Sequence, residues 1–138
     1  MKSLLIMLFP LFFFIKNDEV LLKESSYNNV SLTDTLNEEN LVKIIKYYKL
    51  SNADIILAQA RLETGNFSSR ICREYNNLFG LFNSEKGDYY RFTSWQESVF
   101  FYKIKIQSRY TGGDYYKFLS DIGYAEDTSY VNKLKEII

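Results

Sequence analysis

The segment Ile55-Ile56-Leu57-Ala58-Gln59-Ala60-Arg61-Leu62-Glu63-Thr64-Gly65-Asn66-Phe67 constrains the fold more than any other stretch of this chain. Apolar and small residues dominate it, which predicts a helix that another element can pack against closely. It runs straight into one carboxylate, Glu63. Gly65 stops the helix two residues later, as glycine does where a helix turns off in the left-handed conformation. Asn77-Leu78-Phe79-Gly80 then supplies an aromatic loop. One acid on a rigid support, followed by rings, suits the cutting of a neutral polymer such as a glycan.

The residues around this segment predict further helices. Leu41, Val42, Ile44, Ile45 and Tyr48 recur at helical spacing, giving a helix from Glu38 to about Leu50. Ser51-Asn52-Ala53-Asp54 reads as a cap followed by an acid, so the next helix starts there and reaches Thr64. Residues 66–93 are irregular, with Asp88-Tyr89-Tyr90-Arg91-Phe92 as a short strand or hairpin arm. Ser94-Trp95-Gln96-Glu97 is a capping box. The helix behind it extends to about Arg109 with Val99, Tyr102 and Ile106 on one face, and Glu97 has a structural role in its cap. Thr111-Gly112-Gly113 breaks the pattern. A shorter helix spans Asp114 to Asp121 and ends at Gly123, and a last one runs from about Thr128 to Ile137. The expected fold is mainly α, with one small irregular or β-like lobe between helices.

Length fits one domain with a leader in front. Met1 to Ile15 carries Lys2 and then an apolar run of about 13 residues, the length of a signal-peptide core and short of a membrane span. No small-x-small cleavage triplet follows it, so residues 1–17 read as a signal peptide or a retained N-terminal anchor. Removing them would take away Lys2 and Lys16 but no acid, leaving the chain nearly neutral. Residues 18–37 are a polar linker or arm, and 38–138 form the domain. The expected location is outside the cytoplasm: periplasm, cell envelope or extracellular space.

Charge and chemistry narrow the function. Lys and Arg number 17 against 17 Asp and Glu, which argues against nucleic-acid binding. The chain has no histidine and a single cysteine, Cys72, so Ser-His-Asp and Cys-His catalysis are excluded. Zinc and haem would lack their usual ligands, and neither a metal nor another cofactor is expected. Cys72 reads as a small buried apolar residue. Proton transfer falls to Asp, Glu, Tyr or Lys. The 12 tyrosines and 11 phenylalanines supply core and also suit a groove that stacks on sugar rings.

Glu63 is the prime candidate. As a helix it shares a face with Gln59, Ala60 and Ile56, and it lies in the last turn, where the macrodipole disfavours negative charge. Partial desolvation and the helix end both raise a carboxyl pKa, and a retained proton is what a general acid in glycoside cleavage needs. The residues alone fit a solvated helix-end carboxylate as well.

The stretch Ile56-Leu57-Ala58-Gln59-Ala60-Arg61-Leu62-Glu63-Thr64-Gly65 resembles the signature of the bacterial peptidoglycan glucosaminidases, where Ala-Gln-x-x-Leu-Glu-Ser/Thr-Gly ends a helix. The resemblance continues through Asn77-Leu78-Phe79-Gly80, Phe92 with Ser94-Trp95-Gln96-Glu97-Ser98, and Gly123-Tyr124-Ala125-Glu126-Asp127-Thr128-Ser129-Tyr130-Val131-Asn132-Lys133-Leu134. It implies a lysozyme-like α+β fold, a helical lobe and a small hairpin lobe forming a groove. It also implies Glu63 as general acid and Tyr124 as a supporting or catalytic tyrosine. Gln59, Asn77, Phe79, Gly80 and Tyr130 become candidates for binding the glycan. The implied partner is the glycan strand of peptidoglycan, cut after N-acetylglucosamine by a monomer, with membrane contact only if residues 1–17 are kept.

Two departures stand out. Glu126 replaces the family's Thr, and Thr128 replaces its Pro, where Thr128 can cap the last helix. The lobe between Phe82 and Phe92 is short and offers only Glu85 and Asp88 as a second catalytic carboxylate. An inverting enzyme needs that partner roughly 6.5–9.5 Å from the acid and a retaining one about 5–5.5 Å, unless the substrate's 2-acetamido group takes its place. A muramidase or lytic transglycosylase also places Glu before Ser/Thr-Gly, and a non-catalytic glycan-binding module fits the short lobe. Both alternatives stay open on sequence.

Overall fold

Asn37 starts the first helix of the domain: its side chain accepts from the N–H of Asn40, and helix α1 follows as Glu38–Tyr47. This is a computed structural model, and it describes residues 35–138. The leader expected at 1–17 and most of the arm expected at 18–37 lie outside the described residues. Five more α-helices follow in the described chain: α2 (Ala53–Thr64), α3 (Arg70–Tyr75), α4 (Trp95–Lys105), α5 (Tyr115–Asp121) and α6 (Tyr130–Ile137). Strands β1 (Phe82–Asn83) and β2 (Asp88–Tyr89) pair antiparallel, Phe82 opposite Tyr89 and Asn83 opposite Asp88. The protein is mainly helical with a small antiparallel lobe, as a lysozyme-like α+β fold requires.

Helix α2 is the centre of the core. Ile55, Ile56, Ala58, Gln59, Ala60 and Thr64 are all buried, so most of its circumference is covered. It packs against α1, which buries Leu41, Ile44 and Ile45, and against α6, which buries Tyr130 and Leu134. Small Ala58 and Ala60 permit that close approach. Helix α4 adds Trp95, Val99, Phe100 and Tyr102 to the same core.

Several boundaries differ from the sequence reading. Helix α1 ends at Tyr47, because Tyr48 caps it and Lys49 turns left-handed at φ 57°. Asn52 does not cap α2 with its side chain; it is itself left-handed at φ 58°. The segment expected to be irregular contains helix α3, begun by Ser69, whose hydroxyl accepts from Cys72 N–H at 3.2 Å. Six residues show too little periodicity to reveal such a helix. Helix α4 stops at Lys105 and gives way to a 3₁₀ turn, Gln107–Arg109. Thr128 does not cap α6. Asp127 shapes that entry instead, accepting from Ser129 N–H and Ser129 Oγ, and pairing with Lys133.

Candidate active site

Gly65 ends α2 in the left-handed conformation, φ 55°, with its N–H on the carbonyl of Arg61. Thr64 tightens the exit: its hydroxyl donates to the Ala60 carbonyl at 2.6 Å and accepts from Phe67 N–H at 2.8 Å. Glu63 is thereby fixed in the last turn, half-buried. Burial pushes its carboxyl pKa up, and a hydrogen bond from the Tyr130 hydroxyl acts against that rise. Without a nearby positive charge to favour ionisation, desolvation wins.

The Asn77–Leu81 loop closes over the acid. Asn77 is buried and holds the loop from within: Oδ1 accepts from Phe79 N–H and Leu81 N–H, and Nδ2 donates to the carbonyls of Leu81 and Tyr90. At Gly80, φ +60°, a Cβ would stand 2.8 Å from Glu63 Oε2. Only glycine fits that approach, both for conformation and for space. Behind the loop, buried Ser98 accepts from Leu78 N–H at 3.4 Å. Its neighbour Glu97 completes the α4 cap by accepting from Thr93 N–H at 2.7 Å, so the Glu-Ser pair is structural.

Tyr124 and Tyr130 complete the wall. The Tyr124 hydroxyl donates to the Phe79 carbonyl at 2.8 Å, tying the C-terminal segment to the glycine loop. Its ring stands 5.5 Å from that of Tyr130. Burial and neighbouring negative charge raise both hydroxyls, so both remain protonated donors. Gln59 is fully buried: Oε1 accepts from the Tyr102 hydroxyl at 2.6 Å, and Nε2 donates to Tyr130 at 3.3 Å. Tyr102 in turn meets the Tyr115 hydroxyl at 2.8 Å, and Tyr115 accepts from Gln107 at 3.0 Å. Among the described residues no buried side-chain nitrogen or oxygen lacks a partner.

The structure thus brings Glu63, Gly80, Gln59, Tyr124 and Tyr130 together. Phe79 is 1% exposed and its ring packs on Tyr102 at 4.5 Å, so it belongs to the core. Asn77 and Gln59 spend their side chains on internal bonds, and Tyr130 is buried against Glu63. Phe79, Asn77 and Gln59 build the site from within, while Tyr130 also lines a pocket at the entry to α6. Glu85 and Asp88 do not join the cluster. Glu85 is exposed in the hairpin turn. Asp88 accepts from Tyr89 N–H and pairs with Arg91 at 3.2 Å, which holds its carboxyl below the usual range.

The polar roles of Tyr102, Tyr115, Gln107 and Ser98 do not show in the sequence. Tyr102 shares a helical face with Val99, and that pattern reports its ring while hiding its hydroxyl. On the surface, the rings of Phe82 and Tyr89 meet edge to face at 5.3 Å, the former 53% exposed. A pocket of about 270 Å³ at the entry to α6 is lined by Leu119, Ala125, Glu126, Asp127, Tyr130 and Val131, among others, with Glu63 outside its lining. Among the described residues no group of three or more His, Cys, Asp or Glu could hold a metal, and no helix is long and apolar enough to cross a membrane.

A family model, glucosaminidase, described as mannosyl-glycoprotein endo-beta-N-acetylglucosaminidase, matches residues 38–138. No curated protein and no solved structure matches the chain.

Proposed function

We propose that this chain, which belongs to the glucosaminidase family and is a glycosidase acting on glycans, hydrolyses the β-1,4 bond after N-acetylglucosamine in peptidoglycan. The observation that carries the reading is the half-buried Glu63 carboxyl, pressed against Gly80, whose pKa burial raises. A carboxyl whose protonated form is favoured by burial can hand its proton to the glycosidic oxygen as the C1–O bond breaks. Water then supplies the hydroxyl to C1, leaving reducing-end N-acetylglucosamine. The site would act outside the cytoplasm, on the cell wall, with export directed by residues 1–17.

The position of Asp88, tied to Arg91, and the exposure of Glu85 favour a nucleophile from the substrate itself. The 2-acetamido oxygen of the bound sugar would attack C1 as Glu63 protonates the leaving oxygen. Water would then open the oxazolinium ring, giving back its proton through Glu63 and retaining the β configuration. Digestion of purified sacculi followed by mass spectrometry tests the reading. Wild type should release reducing-end N-acetylglucosamine, and Glu63→Gln should lower the rate by about 10²- to 10⁴-fold. Reducing-end or 1,6-anhydro muramic products would instead make it a muramidase or transglycosylase. Binding of sacculi by both forms with cleavage by neither would make it a binding module. An α-anomer as first product would exclude the acetamido route.

A further inference from the structure

The hydrogen bonds behind Glu63 run in one direction, and the main chain sets it. A backbone N–H can only donate and a C=O only accept. Ser51 N–H donates to Gln107 Oε1, and Ser51 C=O accepts from Gln107 Nε2 at 3.1 Å. The Gln107 amide therefore cannot flip without losing both bonds. Its second Nε2 proton goes to the Tyr115 hydroxyl at 3.0 Å. Having accepted there, Tyr115 turns its own proton to Tyr102, 2.8 Å away. Tyr102 donates onward to Gln59 Oε1 at 2.6 Å, which leaves Gln59 Nε2 to donate to Tyr130 at 3.3 Å. Having accepted from Gln59, the Tyr130 hydroxyl keeps its own proton for another acceptor, and the carboxyl that influences it is Glu63.

We propose that Gln107, Tyr115, Tyr102 and Gln59 are positioning residues, forming a directional relay that takes its polarity from the Ser51 main chain, ends by donating to the Tyr130 hydroxyl, and so leaves the Tyr130 proton to turn to Glu63. Its bearing on catalysis rests on Glu63 being the general acid. The relay crosses the 3₁₀ turn and helices α5, α4, α2 and α6. Tyr102 and Tyr115 are 0% and 2% exposed, positions where phenylalanine would fill the same space without a hydroxyl to satisfy. A buried hydroxyl is costly unless bonded, so each tyrosine is tolerated only because its neighbours close the chain.

The relay also settles a choice that Gln59 alone leaves open. An amide offers a donor on one side and an acceptor on the other, and which faces Tyr130 depends on its other partner. Tyr102→Phe leaves Gln59 Oε1 without a donor in the core. Rotating the amide would turn Oε1 to Tyr130 and draw the Tyr130 proton away from Glu63. The groups facing Glu63 are Tyr130 from α6, Tyr124 from the loop before it, and Gln59 on its own helix. Neither tyrosine is near its own ionisation at neutral pH, so the Glu63 titration reports the relay.

The test uses the full chain with ¹³C-labelled glutamate, following the Glu63 carboxyl by NMR beside the pH profile of kcat on sacculi. Tyr130→Phe removes a hydrogen bond to the charged form and should move the Glu63 midpoint up by about one unit. Tyr102→Phe, which touches neither Glu63 nor substrate, should move it up by roughly half as much. The alkaline limb of kcat should follow, with KM unchanged. An unmoved Glu63 midpoint in Tyr102→Phe overturns the relay. Proton–proton contacts in the wild type test the direction without any variant: the Gln59 side-chain NH₂ should lie against the Tyr130 hydroxyl. An NH₂ turned to Tyr102 would also overturn the proposal. If Glu63→Gln cleaves as fast as wild type, the general-acid reading fails, while both NMR measurements still decide the relay.

Discussion

The acid-bearing wall and the hairpin lobe are built on different principles. Around Glu63 the partners come mostly from distant parts of the chain: Gly80 from a loop, Tyr124 and Tyr130 from the C-terminal segment, and Gln59, one turn back on α2, backed by Tyr102 of α4. At the hairpin tip of the lobe the side-chain bonds are local. Asn83 Oδ1 accepts from Glu85 N–H and Lys86 N–H, and Asp88 pairs with Arg91. Long-range, buried polar bonds hold a side chain to one geometry. Local, exposed ones give little beyond the turn they form. Under the proposed function the contrast assigns proton transfer to the wall and makes the lobe the candidate for contacting sugar.

Gly80→Ala should give the largest departure after loss of Glu63 itself. The new Cβ would meet Glu63 Oε2 at 2.8 Å, and φ +60° disfavours any L side chain. Either the carboxyl or the loop must move. A displacement near 1 Å at the reacting group costs about 10²-fold, so kcat should fall on that order while KM changes little. Steady-state kinetics on sacculi measures it. Activity within about threefold of wild type, on the same principle, would show that the wall is not rigid.

Glu63→Gln sharpens the same contrast through stability. The raised carboxyl pKa means that folding disfavours the charged form. Its contribution is favourable below the unfolded carboxyl pKa and is lost as pH rises through the folded value. Gln has no such titration. The variant should match wild type at pH 4 and exceed it by a few degrees in Tm at pH 8, read by thermal unfolding at both pH values. An advantage that is larger at pH 4 would reverse the assigned direction.

How much of this was legible beforehand follows the same division. The end of α2 was readable because its signals are local: apolar and small residues, then Glu63, then a left-handed Gly65. The capping box at Ser94 was readable for the same reason. The Ser51-Asn52-Ala53-Asp54 cap signature does not form, because Asn52 takes the N-cap position in the left-handed region, φ 58°, which asparagine tolerates. Phe79 carried a binding role by motif position, yet nothing local distinguishes a ring facing a groove from one packed on Tyr102. The relay was invisible because its decisive bonds span long stretches of chain, 43 residues from Gln59 to Tyr102 and 56 from Ser51 to Gln107. Only tertiary packing shows that their polar atoms meet.

The smaller predictions concern the lobe. Phe82→Ala and Tyr89→Ala each remove one ring of an exposed pair two and nine positions beyond Gly80. If that pair stacks on sugar, each should lose about 1 kcal/mol of binding, raising KM about fivefold with kcat nearly unchanged. An unchanged KM in both variants would leave the pair without a role in binding.

Asp88→Asn and Glu85→Gln should do least. Asp88 is exposed and already committed to Arg91 and the Tyr89 N–H, and Glu85 stands in solvent at the turn. A carboxylate acting as base or nucleophile would have to give up such bonds and cross to the acid. Its removal would then cost about 10²-fold or more in kcat. Values within about twofold of wild type, well below that scale, keep both residues out of the chemistry. A large loss in either variant, with an inverted first product, would break the comparison at its root. The lobe would then supply the second catalytic group and move toward Glu63 when substrate binds.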